Sequence, residues 1–162
     1  MKKSSSVWCI LFLRRGPFLV FFLLTAARLQ AQTPEWIWHD NKGEAPRENE
    51  VRFFRKTFQI DGPISRARLM VAGDDQAIVF LNGRQAGVSR SWNRPLTVNV
   101  TKEIKTGTNL IAVRGQNTSG DAAVIVRLDI TLANDQTQVL VTDPSWVSTA
   151  ASLNHWFAPG FD

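Results

Sequence analysis

Beyond residue 50 the chain repeats one pattern, in which apolar residues fall at every second position in short runs broken by turn-forming residues. In 122-AAVIVRLDITLAN-134, Val124, Val126, Leu128, Ile130 and Leu132 share one face, while Ile125, Arg127, Asp129 and Thr131 share the other. A period of two is the side-chain period of extended backbone, so this segment predicts a half-buried strand of an antiparallel sheet. Runs of the same character are 51-VRFFRKTFQI-60, 66-RARLMVAG-73, 77-AIVFLNG-83, 95-PLTVNVT-101, 109-NLIAVRGQN-117 and 138-QVLVTD-143. Asp61-Gly62-Pro63, Asn82-Gly83, Thr106-Gly107-Thr108-Asn109 and residues 117–121 separate them with turn chemistry. Seven or so short strands so spaced predict an all-β antiparallel sandwich or barrel. Helical spacing is absent from any long segment. Only 101-TKEIKTG-107 has a cap and a stop, Thr101 and Gly107, for a single helical turn. Trp36 and Trp38 flank Ile37 and predict an early strand with both indoles on one packing face.

The first 31 residues break this pattern. Lys2, Lys3, Arg14 and Arg15 precede the apolar run 17-PFLVFFLL-24, and small and polar residues follow it up to Ala31. This is the layout of a secretory signal, expected over residues 1–31 with the cut after Ala31, which would place the protein outside the cell or in the periplasm. Read instead as an uncleaved anchor, the segment is split by Arg14 through Pro17 and leaves no stable membrane span. The whole chain has 19 basic and 14 acidic residues; the first 31 hold five basic and no acidic ones, which leaves 14 of each. The net charge of +5 therefore belongs to the leader, and nothing electrostatic in the remainder favours nucleic acid. The sole cysteine, Cys9, lies in the leader too, so disulfides and thiolate metal sites are not expected. The sandwich is expected over 32–142, and 143–162 as coil wrapping the sandwich or as the start of a further module.

The order of the segments 36-WIW-38, 52-RFFRKTF-58, 68-RLMVAGDDQAIVFLNGRQAG-87, 96-LTVNVTKEIKTGTNLIAVRGQN-117 and 140-LVTDPSW-146 resembles galactose-binding-like jelly-roll domains. Such domains stand at the front of bacterial α-L-rhamnosidase-like proteins and serve as sugar-binding domains of family-two glycoside hydrolases. The resemblance implies a jelly-roll sandwich, a carbohydrate ligand held by loops at one end, and a neighbouring catalytic domain as partner.

Candidate chemistry is sparse. Asp74-Asp75 has the composition of a glycosidase acid pair. Adjacent residues diverge in a strand or turn, however, so the pair is expected to form the corner between two strands, its carboxylates capping backbone N–H groups. Carboxylate oxygens at a loop end would also suit calcium or a ligand. Asn82-Gly83 is a hairpin signal. In 87-GVSRSWNRPL-96, Trp92 stands between Arg90 and Arg94 among serines and an asparagine, a combination able to stack a sugar ring and bond its hydroxyls. In 114-RGQNTSGD-121, Arg114 and Asn117 offer further donors expected to face Trp92. Trp92, Arg94, Arg114 and Asn117 are thus the candidate ligand contacts. His39 and His155 stand far apart in sequence, and no catalytic residue or metal ligand is assigned. The sequence reads as an exported, non-catalytic carbohydrate-binding-type module beside a glycoside hydrolase, or alternatively as a spacer that docks on a neighbour and binds no ligand.

Overall fold

The computed structural model describes residues 32–39 and 43–161; the expected signal segment 1–31 lies outside them. The described residues contain no helix and form nine strands: β1 (Val51–Ile60), β2 (Ile64–Asp74), β3 (Gln76–Leu81), β4 (Arg84–Ser89), β5 (Leu96–Asn99), β6 (Gly107–Gln116), β7 (Ala123–Leu132), β8 (Thr137–Val141) and β9 (Val147–Thr149). They pair as a five-stranded sheet, order β4-β3-β6-β1-β9, and a four-stranded sheet, order β5-β2-β7-β8. Every pairing is antiparallel.

Alternation along β7 is complete: Val124, Val126, Leu128, Ile130 and Leu132 are buried, and the residues between them are only half-buried. They meet Leu69 and Val71 of their own sheet and Phe54, Val79, Leu81, Ile111 and Val113 of the other in one core. Removing this apolar surface from water is the main favourable contribution to the fold, at about 25 cal/mol per Å². Trp146 closes the core, its indole N–H donating to the Val141 carbonyl at 2.8 Å.

Several expectations shift in detail. Segment 84-RQAGVS-89 forms an edge strand although it mixes polar residues with glycine, because the Asn82-Gly83 turn returns it against β3. Both turn residues adopt positive φ, 50° and 85°, as a two-residue hairpin requires. Residues 101–103 form a turn, not a helical one, and the Thr101 hydroxyl accepts the Ala67 N–H at 2.8 Å. The tryptophan pair does not share a packing face. Ile37 makes only an isolated bridge to Val124, Trp36 is 47% exposed, and Trp38 packs with Phe54. Trp38 fits there because Gly115 has no side chain; a Cβ at that position would lie 2.6 Å from the indole ring. Nor is the stretch after residue 142 only coil. It supplies Trp146 to the core and β9 to the five-stranded sheet, then runs across that sheet's outer face, where Trp156 packs on Phe53, Phe80 and Ala112.

Candidate functional site

Register brings three connections to one end of the sandwich. Asp74 is opposite Ala123, Gln76 opposite Gln116, and Ala77 opposite Ser89. The β2–β3 corner, the β4–β5 loop and the β6–β7 loop are therefore neighbours there.

At the corner, the Asp74–Asp75 peptide is cis. The Asp75 N–H donates to the Gln116 carbonyl at 3.0 Å. Its carboxylate accepts the Thr118 N–H at 2.7 Å, the Thr118 hydroxyl, and the Ser119 N–H at 3.4 Å. Those bonds favour the charged form and hold Asp75 below the usual carboxylate range, the Thr118 hydroxyl contributing most. Asp74 shifts the opposite way, first through burial and then through the charges of Asp75 and Asp121. The corner is thus a tie between two loops, with Asp75 fastening the β6–β7 connection. Among the described residues no three His, Cys, Asp or Glu side chains gather as a metal site.

Beneath the loops lies a buried polar hub built on Glu50, a residue of the charged stretch 47-RENE-50. Glu50 is 7% exposed. It accepts the Trp38 indole N–H at 2.7 Å and the Arg47 N–H at 3.2 Å, and pairs with Arg52 at 2.9 Å. Its backbone carbonyl accepts the Asn117 N–H at 2.9 Å. A buried carboxylate needs this degree of pairing to remain charged.

The β4–β5 loop is built differently. Ser89 is buried and its hydroxyl donates to the Ser91 carbonyl at 3.1 Å; the Ser91 hydroxyl donates to the Asn93 side chain at 2.6 Å. Anchored so, the loop projects Trp92, 57% exposed, between exposed Arg90 and Arg94. Neither arginine has an ion-pair partner among the described residues.

The four candidate contacts are not all brought together. Trp92 and Arg94 sit on this projecting loop. Arg114 lies within β6, opposite Phe53 and Ile78, its guanidinium donating to the Gln116 side chain at 3.0 Å. Asn117 is fully buried, and its amide donates to the carbonyls of Arg47 at 3.0 Å and Gly120 at 3.4 Å. It is a scaffold for the loop and not the ligand contact expected from the sequence, because its amide is buried and turned to the backbone. His39 lies 2.9 Å from the Ser148 hydroxyl, and the described residues give its ring no carboxylate.

No family model matches the chain. An α-L-rhamnosidase of Streptomyces avermitilis is 29% identical over 137 residues, which cover 78% of this chain and 13% of that protein. The crystal structure of Streptomyces avermitilis α-L-rhamnosidase complexed with L-rhamnose is similar with a TM-score of 0.73 and 28% identity, covering 80% of this chain and 13% of that one. The lectin from Pleurotus ostreatus in complex with GalNAc is similar with a TM-score of 0.65 and 25% identity, over 80% of this chain and 40% of the lectin. The sandwich is a galactose-binding-like jelly roll. This galactose-binding-like domain spans a small part of the rhamnosidase that it matches, so the likeness concerns one domain and not the whole enzyme.

Proposed function

We propose that the protein is an exported, non-catalytic module that binds carbohydrate through the β4–β5 loop and serves beside a glycoside hydrolase. The observation that carries this reading is Trp92, an indole left more than half exposed on an anchored loop between two arginines that have no ion-pair partner among the described residues. An apolar ring face meets the C–H face of a sugar, and the flanking donors meet its hydroxyls. The likeness to a lectin and to part of an α-L-rhamnosidase supports a carbohydrate ligand. Binding of this kind is stacking plus directional hydrogen bonds, with no covalent step. Affinity electrophoresis through polysaccharide gels, with Trp92→Ala alongside, tests it: retardation that Trp92→Ala weakens supports the reading, and no retardation by any polysaccharide overturns it.

Trp36 favours a second reading, a docking spacer without a ligand, because it leaves a large apolar side chain 47% exposed. Sedimentation of the purified chain separates the two. Self-association that Trp36→Ser abolishes supports docking, and a monomer at all concentrations counts against it.

A further inference from the structure

The outer face of the four-stranded sheet offers a surface that the end loop alone does not use. Ala67, Leu69 and Val71 of β2 point into the core, so Arg66, Arg68, Met70 and Ala72 point outward. Arg66 and Arg68 are exposed, and outward neighbours on one strand lie about 7 Å apart. Asp129 of β7 stands directly opposite Arg68. Both of its oxygens are taken by Arg127, from Nε at 3.1 Å and from the terminal nitrogen at 2.7 Å. Arg66 and Arg68 are therefore left without an ion-pair partner among the described residues. The sheet's outward carboxylate at the far end of β2 is Asp74, whose charged form burial disfavours.

Next to Met70 the face dips into an apolar trough of about 190 Å³ between Met70, Ala72, Ile125 and Arg127, edged by Pro34 and Pro95. Pro95 also ends the loop that carries Arg90, Trp92 and Arg94. The outer face thus sets two guanidiniums without an ion-pair partner among the described residues beside an apolar trough. Over residues 32–162 acidic and basic residues are equal in number, so this cluster is a local segregation of charge and not the average of the domain.

We infer that this face binds an anionic polysaccharide, a chain of uronic-acid units. A sugar ring rests its C–H face over the Met70–Ile125 trough, and carboxylates along the chain meet Arg68 and Arg66. Arginine holds a carboxylate through two parallel N–H bonds, a match that a neutral glycan cannot supply. The inference rests on the carbohydrate-binding reading and names the class of ligand.

The test is affinity electrophoresis of the purified chain through gels containing alginate, a polyuronate, and through gels containing hydroxyethylcellulose, which is neutral. Retardation is expected in alginate alone, and the R66Q/R68Q variant should weaken it about fivefold or more. The control variant R84Q/K105Q removes the same charge at exposed positions set against the five-stranded sheet, Arg84 on β4 and Lys105 beside Asn109 of β6, and should change it by less than about twofold. Equal losses in the two variants mean diffuse attraction of a polyanion and overturn the inference. Alginate binding untouched by R66Q/R68Q also overturns it, leaving the face to a protein neighbour or to solvent. Retardation by the neutral gel alone, sensitive to Trp92→Ala, sinks this inference and leaves the end-loop reading standing. Retardation by neither gel overturns this inference, while the end-loop reading falls only when no other polysaccharide retards the chain.

Discussion

On the five-stranded sheet the outward residues Phe53, Phe80 and Ala112 are apolar, and the C-terminal segment roofs them with Trp156 and Phe157. On the four-stranded sheet the outward residues of β2 begin with two arginines, and no described residue packs a comparable aromatic layer there. The difference shows what alternation does and does not decide. A strand with one apolar face needs only the opposing sheet, as β7 does. A strand apolar on both faces, as β1 is at Phe53 and Phe54, needs a third layer, and here the chain supplies it. The face without such a layer among the described residues is the one proposed to meet a ligand.

The sharpest way to break this contrast is to remove the roof. Trp156 is 6% exposed and makes edge-on contacts with Phe53, Phe80 and Phe157, so Trp156→Ala should cost about 3–5 kcal/mol in urea unfolding. Met70→Ala, on the bare face and only half-buried, should cost about 1 kcal/mol or less. Similar costs at the two positions would mean that the C-terminal segment lies on the sheet without stabilising it.

A second comparison is between Asn117 and its neighbour in sequence, Thr118, which is exposed. Asn117→Ala removes a fully buried amide that ties the carbonyls of Arg47 and Gly120 together and should lower stability by about 1–3 kcal/mol. An unchanged urea midpoint would remove Asn117 as the loop's scaffold.

These differences mark how far the sequence could be read. The strands of the core announced themselves through period two, which is why β1, β2, β6 and β7 match their apolar runs. β4 did not, because an edge strand with one partner can carry Gln85 and Gly87 without an alternating core face. β9, three residues long, has no room for a period. At the end proposed to meet a ligand, the exposed grouping of Trp92 with Arg94 was legible, since an aromatic between arginines in a polar loop is a local signal. Asn117 and Glu50 were not, because their burial depends on what segments distant in sequence bring to them: Trp38 and Asn117 for Glu50, Arg47 and Glu50 for Asn117.

The corner gives a smaller, pH-dependent effect. Asp75 has its pKa held down in the folded state, so the stability it contributes is complete above the unfolded value of about 3.9 and is lost as pH falls through the folded value. Asp74 carries the opposite sign: its raised pKa costs stability once it is ionised, and that cost disappears as pH falls through its folded value. Asp75→Asn should therefore destabilise by about 1 kcal/mol at neutral pH, with the deficit shrinking below about pH 4. Urea unfolding at a series of pH values measures it, and a deficit independent of pH would mean that the charge of Asp75 does not matter to the tie with Thr118.

The smallest expected effect on stability is at the residue proposed to matter most for binding. Trp92 is 57% exposed, and the bonds that anchor its loop belong to Ser89, Ser91 and Asn93. Trp92→Ala should therefore leave the urea midpoint within about 0.5 kcal/mol of the parent, while polysaccharide affinity falls by about tenfold. An indole that served as structure would show the reverse, because its loss would open the core end and leave any binding to the arginines. Trp156 and Trp92 thus form a matched pair, one an indole spent on covering a sheet and the other held off the surface. Stability loss at the first without the second, and affinity loss at the second without the first, is the pattern that separates the roofed face of this sandwich from its end loop.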